Sequence, residues 1–342
     1  GGMGVLAFFL TILPLSGGSH INLMRAESPG PSVGKLVPRV RTTAKILYLI
    51  YLFITVVQII LLLFTGMPLF DSITLSLGTA GTGGFSNKGL SVGAYNNPYF
   101  EIVIGVFMLL FGINFNLYYY MLIRKFSLAY KNEELRTYLG IIATATLLIG
   151  LNVMKLYDNF GEALRHSFFM TASTITSTGF ATVDTASWPV FSQTLMLLLM
   201  FVGACAGSTG GGMKVSRIII LVKTGFRELK YIVNPRAVTT VKMDGKPVER
   251  DVIRGVTSYF ILFMMLFSIS LLIVSFDKYS IEESLSAVIT CMNNIGFGVG
   301  RFGSAGNFGG LSALSKIVLS FDMLIGRLEI YPLIMLFAVR KR

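Results

Sequence analysis

Charged residues are scarce in this sequence. Asp, Glu, Lys and Arg make up 13% of its 342 residues, whereas a soluble globular domain carries about 25%. Hydrophobic residues account for 53%, and the mean hydropathy is +0.70. So few charges cannot keep an apolar chain of this length in water. The composition therefore excludes an ordinary soluble globule and predicts an integral membrane protein.

Cysteine and histidine are also rare, with two of each. Cys205 and Cys291 lie in apolar stretches of small residues, where packing is favoured over a disulfide or a metal site. His20 and His166 are too few and too far apart in sequence to form a metal cluster. We therefore expect no resident metal and no covalently bound cofactor.

Apolar stretches long enough to cross a bilayer recur along the chain. A spanning helix needs about 20 residues at a rise of about 1.5 Å per residue. We expect spanning helices at residues 46–64, 102–123, 138–154, 191–206, 256–276 and 317–339, and residues 3–15 resemble the rest of another. The sequence thus predicts seven membrane helices with shorter segments between them.

One short motif occurs three times between these helices. The copies are Thr82-Gly83-Gly84-Phe85-Ser86, Ser177-Thr178-Gly179-Phe180-Ala181 and Asn294-Ile295-Gly296-Phe297-Gly298. A serine lies 12 positions before the glycine of every copy, at Ser72, Ser167 and Ser284. Chance Gly-Phe pairs would not share so long a register. The pattern predicts three copies of a short helix that runs into a glycine-containing loop.

The short helices, expected at residues 70–81, 161–176 and 281–293, cannot span a bilayer. They must enter the membrane and turn back, and each loop must line a cavity because lipid cannot satisfy free amides. These loops contain no ionised acid, and their glycines let carbonyl oxygens turn inward, which suits a weakly hydrated monovalent cation. Close helix packing by glycine is the alternative, but it does not explain three loops in one register.

Basic residues lie mostly on one side of the predicted helices. Of the 29 Lys and Arg, 22 fall in residues 25–45, 124–136, 214–254 and 340–342. The positive-inside rule makes these segments cytoplasmic, so that the three loops open to the outside. We interpret the net charge of +12 as this topology signal, strengthened by attraction to anionic lipid, and not as a nucleic-acid site.

Ten small residues in a row, 203–212, interrupt the fourth predicted helix. Each glycine costs a helix about 1 kcal/mol relative to alanine, so the helix is expected to break there and to resume at residues 215–222. Met213 before Lys214 distinguishes the run from a phosphate-binding loop. We interpret the break as a mobile intramembrane gate, with a passive packing kink as the alternative. The gate residues would be Gly207, Ser208, Thr209, Gly210, Gly211, Gly212 and Lys214.

Arg327 lies near the middle of the last apolar stretch. An arginine at the bilayer midplane costs at least about 2.5 kcal/mol, so it is expected to face the protein interior and to have a role. It would form an electrostatic barrier below the loops. A structural ion pair with Glu329 or Asp322 is the alternative.

The basic segment at residues 227–251 contains Asp244-Gly245 between two short β-prone runs, which predicts a hairpin. With Arg227, Lys230 and Arg236 before it, we expect this segment to be the docking surface for a soluble regulatory partner.

The sequence resembles the Trk/Ktr/HKT superfamily of potassium transporters over essentially its whole length. The residues that carry the resemblance are Gly1-Gly2-Met3-Gly4, Arg25-Ala26-Glu27-Ser28-Pro29-Gly30-Pro31, the glycine run through Lys214, Arg227-Glu228-Leu229-Lys230, Asn293-Asn294-Ile295-Gly296 and Gly326-Arg327-Leu328-Glu329. The resemblance implies an all-α polytopic fold in which four helix–pore-helix–filter-loop–helix units surround one pseudo-fourfold pore. It also implies a homodimer in the bacterial inner membrane, controlled by a TrkA-like cytoplasmic ring that binds the nucleotide.

The resemblance further assigns residues and units. Transported K⁺ would be coordinated by Thr82, Gly83, Gly84, Ser177, Thr178, Gly179, Asn294, Ile295 and Gly296, with the gate residues and Arg327 below them. The second, third and fourth units would be residues 42–127, 133–226 and 252–339, and residues 1–24 would hold the last helix of an incomplete first unit. The chain starts at Gly1 without a signal-peptide pattern. We therefore expect the first loop to belong to a longer protein.

Two other kinds of function remain open. A carrier could bind Na⁺ or another small solute at broken helices, although the three copies share one orientation and do not form an inverted pair. An intramembrane hydrolase would need a base beside a nucleophile. His166 stands where the other copies have Asp71 and Glu283, at the start of a short helix. We therefore expect no enzyme.

Overall fold

The structure, a computed structural model, describes residues 40–235 and 239–328. Most of this part of the chain is helical, as predicted. The helices are α1 (Val40–Phe64), α2 (Leu69–Ala80), α3 (Pro98–Phe111), α4 (Phe115–Leu122), α5 (Phe126–Tyr130), α6 (Glu133–Val153), α7 (Phe160–Ile175), α8 (Val190–Met200), α9 (Val215–Val233), α10 (Arg250–Val274), α11 (Ile281–Met292) and α12 (Ala313–Leu328). Single 3₁₀ turns lie at Ser91–Tyr95, Met154–Leu156, Thr185–Ser187, Ser275–Asp277 and Gly300–Phe302.

Three of the described helices are long and apolar enough to cross a membrane. They cover Lys45–Phe64, Glu133–Leu156 and Arg250–Asp277, and α3 with α4 adds a fourth crossing if that bent pair is counted as one span. Large side chains on their outer faces, such as Leu49, Phe53 and Leu272, are 64%, 69% and 68% exposed. Contiguous apolar surface of this kind is tolerated in lipid and not in water. The predicted helix at 3–15 and the residues beyond 328 lie outside the described part.

The predicted single helix at 102–123 is wrong, because the structure breaks it between α3 and α4 with a bend of 90°. Gly112 ends α3, and the Asn114 side chain caps the first turn of α4. The carbonyls freed at the break are satisfied by amides of the small-residue run. Cys205 N–H donates to Gly112 O at 3.0 Å, and Thr209 N–H donates to Phe111 O at 3.3 Å. The break therefore exists where another segment replaces the missing helical hydrogen bonds.

The predicted helix at 191–206 is also shorter in the structure. Helix α8 has 11 residues and ends at Met200, and α9 begins at Val215 and continues to Val233. We call residues 203–214 the small-residue segment. Its two ends pair through the backbone, since Gly203 N–H donates to Met213 O at 2.7 Å and Val215 N–H donates to Ala204 O at 3.2 Å. The segment is thus a closed loop between two helices.

Long helix, short helix, glycine loop and second helix follow one another three times along the chain. The three sets are α1–α2–α3, α6–α7–α8 and α10–α11–α12. Side-chain caps start two of the short helices: Asn159 accepts the Glu162 N–H at 2.9 Å, and Ser280 forms a capping box with Glu283. Helix α3 packs on α7 and α8 packs on α11, so a shared core joins the sets.

A small hairpin lies between α9 and α10. Strands β1 (Lys242–Met243) and β2 (Lys246–Pro247) are antiparallel, with Met243 opposite Lys246. The turn residues Asp244 and Gly245 have φ of +51° and +77°, the left-handed pair that an Asp-Gly turn supplies. Val241 packs with Ile220, Ile253 and Val256, which anchors the hairpin to α9 and α10.

Candidate functional site

The three short helices end in the same backbone turn. The first loop residue of each copy, Thr82, Ser177 or Asn294, is left-handed, with φ of +48°, +52° and +53°. The next residue donates its N–H to the carbonyl five positions earlier, at 2.9, 2.9 and 3.0 Å in chain order. This is the hydrogen bonding of a Schellman motif, usually built on glycine. Because a non-glycine residue in this conformation costs roughly 1–2 kcal/mol, each turn is held by its surroundings.

The three glycine-containing loops lie side by side. We call them the Gly-Phe loops (residues 82–86, 177–181 and 294–298). A Cβ added to Gly84 would collide with the Thr178 carbonyl oxygen and lie 2.9 Å from Gly179 Cα. A Cβ added to Gly179 would collide with the Ile295 carbonyl oxygen and lie 3.5 Å from Gly296 Cα. The carbonyls of Thr178 and Ile295 therefore project toward the neighbouring loop, and no side chain fits between the loops.

The backbone at these glycines also requires glycine on conformational grounds. Gly84, Gly179 and Gly296 have φ of +64°, +88° and +104°. A Cβ at Gly296 would meet only Gly179 Cα, at 3.7 Å, among the described residues. A Cβ added to the first loop thus collides with the second loop, and a Cβ added to the second loop collides with the third.

Hydroxyl groups hold two of the loops from behind. Ser173 Oγ donates to Phe180 O at 2.6 Å, and Thr290 Oγ1 donates to Phe297 O at 2.6 Å. In the first copy the equivalent residue is Gly78, which has no hydroxyl. The phenylalanine of that loop, Phe85, has a side chain that is 82% exposed. These residues are not among those predicted from the sequence. The available signal was a small residue six positions before the loop glycine in every copy.

Side chains also join the start of each short helix to the chain after its loop. Asp71 accepts from Asn87 Nδ2 at 2.5 Å, His166 Nδ1 lies 3.0 Å from Thr182 Oγ1, and Glu283 Oε1 accepts the N–H of Arg301 at 3.4 Å. Asp71, His166 and Glu283 each lie 13 positions before the loop glycine. Their contacts fit a bracing role, including for His166, whose ring stacks on Tyr157 with centroids 5.1 Å apart.

The bracing cluster of the first copy includes Tyr95, whose hydroxyl donates to Asn87 Oδ1 at 3.2 Å. Burial, and then the hydrogen bond to the Asp71 carboxylate, raise the pKa of Tyr95 above its ordinary value. The phenol therefore keeps its proton, and its donor, in more alkaline solution than an ordinary tyrosine does.

The small-residue segment lies against the start of all three Gly-Phe loops. Thr209 O accepts from Thr82 Oγ1 at 2.9 Å, and Gly211 N–H donates to Ser177 Oγ at 2.5 Å. A Cβ added to Gly211 would lie 2.8 Å from Asn293 O, directly before the third loop. The segment therefore lies beside the start of each of the three loops.

The other predicted gate residues are packed within the same segment. Ser208 Oγ donates to Cys205 O at 2.6 Å, and Gly207 O accepts the Phe115 N–H at 3.0 Å. Lys214 is 6% exposed, and its Nζ donates to the carbonyl of Gly210. A Cβ added to Gly212, which has φ of +72°, would lie 3.1 Å from Asn293 Oδ1.

Comparisons with known proteins decide the family. The family model described as "TrkH: Cation transport protein" matches residues 1–341. The chain belongs to the TrkH family of cation transport proteins. The resemblance to the Trk superfamily is therefore confirmed.

Individual relatives give the same result. The chain is 37% identical over 341 residues to the Trk system potassium uptake protein TrkH of Salmonella typhimurium, covering 98% of this chain and 70% of that protein. It is 37% identical over 342 residues to the Trk system potassium uptake protein TrkG of Escherichia coli, covering 99% and 70%. The crystal structure of the potassium transporter TrkH from Vibrio parahaemolyticus matches with a TM-score of 0.82 and 34% identity, covering 98% and 69%.

In this TrkH-family chain the last described helix contacts the third Gly-Phe loop. A Cβ added to Gly326 of α12 would collide with the Met292 carbonyl, and Asn294 Nδ2 donates to Met323 O at 3.2 Å. Arg327 follows Gly326, and its side chain is exposed. Asp322, one partner considered for it, is 2% exposed and accepts from Ser270 Oγ at 2.9 Å. Glu329 lies outside the described residues, so the role of Arg327 stays a prediction.

Neutral backbone oxygens dominate the cluster. Among the residues that the structure describes, no three His, Cys, Asp or Glu side chains are grouped to hold a metal ion. A cation between the loops would meet carbonyl and hydroxyl oxygens, which suits a monovalent ion that gives up its water more readily than Mg²⁺ does.

Proposed function

We propose that this chain takes up K⁺ across the bacterial cytoplasmic membrane through a pore between its Gly-Phe loops. The observation that carries the proposal is the contact between the loops, in which Gly84 and Gly179 face the carbonyls of Thr178 and Ile295. The names of the Salmonella and Escherichia relatives, potassium uptake proteins, support the choice of ion. The K⁺-coordinating residues would be Thr82, Gly83, Gly84, Ser177, Thr178, Gly179, Asn294, Ile295 and Gly296.

The physical role of the loops is to replace water around the ion. Carbonyl oxygens held on several sides compensate for the lost hydration shell, while their neutral charge keeps binding weak enough for release. A pseudo-fourfold pore needs a fourth loop beside the three described. The collisions at Gly84 and Gly179 each involve the next loop along the chain, which supports a ring, and the fourth loop is part of this proposal.

The small-residue segment would be the gate of this pore. It is buried against Thr82, Ser177 and Asn293, so an ion that leaves the loops on this side must displace it. Its glycines permit the backbone changes that such movement requires. Arg327 lies four positions beyond Met323, whose carbonyl accepts from Asn294 of the third loop, and would add an electrostatic barrier.

Regulation would come from the cytoplasmic side. The basic segment at residues 227–251 would receive a soluble nucleotide-binding ring of the TrkA kind, and two copies of the chain would pair in the membrane. The excess of Lys and Arg supports an orientation with this segment inside and the Gly-Phe loops toward the outside. The protein would act as a transport subunit with no chemical catalysis of its own.

Two measurements test the proposal together: bacterial growth at low K⁺ and cation flux into lipid vesicles. A bacterium that lacks its own K⁺ uptake systems should grow at low K⁺ when it produces the full-length protein. Lipid vesicles containing the purified protein should take up K⁺ and Rb⁺ faster than Na⁺. Equal flux of Na⁺ would favour the Na⁺ carrier instead, and no rescue with no cation flux in vesicles would reject the proposal.

A further inference from the structure

Glu134 contacts the small-residue segment but belongs to neither the Gly-Phe loops nor the predicted gate. It lies in the first turn of α6 and is 3% exposed. Its Oε1 accepts the N–H of Ala206 at 2.7 Å and the N–H of Ser216 at 3.0 Å. These residues flank the predicted gate on its two sides. One carboxylate oxygen therefore ties both ends of the gate to α6.

The local electrostatics favour an acidic residue at this position. The N-terminal end of a helix carries a positive dipole end, and the first turn of α6 places Glu134 there. Burial opposes the charged form of the carboxylate, whereas the N–H groups of Ala206 and Ser216, and to a smaller extent the Lys214 ammonium, favour it. Hydrogen bonds to an ionised acceptor are stronger than neutral ones. A buried carboxylate that lost these donors would be costly, so the contact holds the segment firmly while it is intact.

The residues just before Glu134 are joined to the hairpin. Glu133 N–H donates to Asp244 Oδ1 at 2.7 Å, and Asn132 Nδ2 donates to Asp244 Oδ2 at 3.1 Å. The Glu133 side chain pairs with Lys223 of α9. Asp244 is the first turn residue of the hairpin, so the hairpin and the gate are held by consecutive residues of one helical turn.

We propose that Glu134 is a positioning residue that holds the small-residue segment closed, and that the hairpin at residues 242–247 sets its position through the first turn of α6. The effect on ion flux rests on the proposed function, whereas the effect on the segment does not. A partner that moves the hairpin would displace Asp244, then the turn that carries Glu134, and so release Ala206 and Ser216.

Cys205 reports on the segment without any measurement of transport. It is fully buried and precedes Ala206, while the second buried thiol, Cys291 in α11, serves as an internal reference. The full-length protein in lipid vesicles is treated with a water-soluble maleimide, and mass spectrometry locates the modified thiol. Glu134→Ala should raise the rate at Cys205 by about tenfold or more, because two hydrogen bonds to a buried acceptor are lost. The rate at Cys291 should not change.

Two further variants separate positioning from general damage. Glu134→Gln keeps an acceptor oxygen without the charge and should raise the Cys205 rate by about threefold only. Asp244→Ala should raise it as well, and the double variant with Glu134→Ala should not exceed Glu134→Ala alone, since both changes act through one turn. The control is Asp158→Ala, an exposed acid outside the Gly-Phe loops, the gate, the hairpin and the basic segment, which should leave the rate unchanged.

The outcomes distinguish this proposal from the proposed function. An unchanged Cys205 rate in folded Glu134→Ala protein, or fully additive effects of the two sites, would overturn it. If Glu134→Ala does not fold, unchanged rates in both Glu134→Gln and Asp244→Ala would overturn it. If the Cys205 rates respond as expected while wild-type vesicles carry no Rb⁺, the K⁺ function fails and the positioning role stands.

Discussion

At the residue scale, the spacing of the three loop glycines was the most informative signal in the sequence. It predicted which glycines correspond, and the structure gives them matching positive φ values. The serines 12 positions earlier, which revealed the register, have an ordinary role: Ser72 and Ser167 donate to the carbonyls four positions before them, at 3.0 and 2.7 Å. A sequence pattern marks equivalent positions without saying which of them face the site.

Gly179→Ala tests the contact between loops. The added Cβ would enter the space of the Ile295 carbonyl, and φ of +88° disfavours alanine in any case. K⁺ uptake by cells that depend on this protein should be lost. Gly140→Ala is the matched control, since nothing lies within 4 Å of a Cβ there. Wild-type uptake by a membrane-inserted Gly179→Ala protein would contradict the close packing of the loops.

The hydroxyls behind the loops give a second prediction. Thr290→Val keeps the shape of the side chain and removes its hydrogen bond to Phe297 O, which contributes about 1 kcal/mol. The ratio of Rb⁺ to Na⁺ flux in vesicles should fall by about fivefold as the third loop loosens, and Ser173→Ala should act in the same way on the second. Thr74→Val removes a hydroxyl that bonds only to Phe70 O of its own helix. If Thr290→Val leaves the flux ratio unchanged, as Thr74→Val should, the hydroxyl hydrogen bonds to the loops have no role in selectivity.

At the element scale, local signals predicted the short helices and the hairpin well. The short helices were expected at 70–81, 161–176 and 281–293 and begin and end within one residue of those limits. The break between α3 and α4 was missed although Gly112 and Asn114 are both helix-end residues. The long apolar run around them favoured one spanning helix, and the hydrogen bonds that make the break possible come from a segment about 90 residues later in the sequence.

Helix α12 supplies a prediction at this scale. Gly326→Ala would push the Met292 carbonyl away, and overpacking of this kind costs about 1–3 kcal/mol. The purified protein should therefore unfold at a lower temperature and show altered Rb⁺ flux, because the third loop follows Met292 directly. Gly225→Ala in α9, where a Cβ would have open space, should change neither property. Equal unfolding temperatures for the two variants would show that α12 does not press on the loop.

At the scale of the whole molecule, composition was sufficient to predict a helical membrane protein, but not the meeting of the three loops. Thr82, Ser177 and Asn294 are separated by about 100 residues in sequence, and no local pattern brings distant segments together. Helix packing does so, through α3 on α7 and α8 on α11. For the same reason Glu134 escaped notice, since a glutamate at the start of a helix is ordinary until its distant partners are known.

A shared cation site should stabilise the whole fold. An ion that binds only the folded state raises its stability by about 2.7 kcal/mol at a concentration one hundred times the Kd. The unfolding temperature of the purified protein should rise with K⁺ or Rb⁺, and not with choline at equal ionic strength. Gly179→Ala should lose this dependence. The same rise in choline would indicate a general salt effect in place of a binding site.

The contact between the small-residue segment and the bend after α3 has one more consequence. If the segment moves away as the proposed gate, the carbonyls of Phe111 and Gly112 lose the amides of Thr209 and Cys205. Water has to take the place of those donors, so the open pathway holds more solvent than the closed one. Osmotic pressure from a solute too large to enter should therefore favour closure, which makes the conducting state sensitive to how freely water is available around the cell.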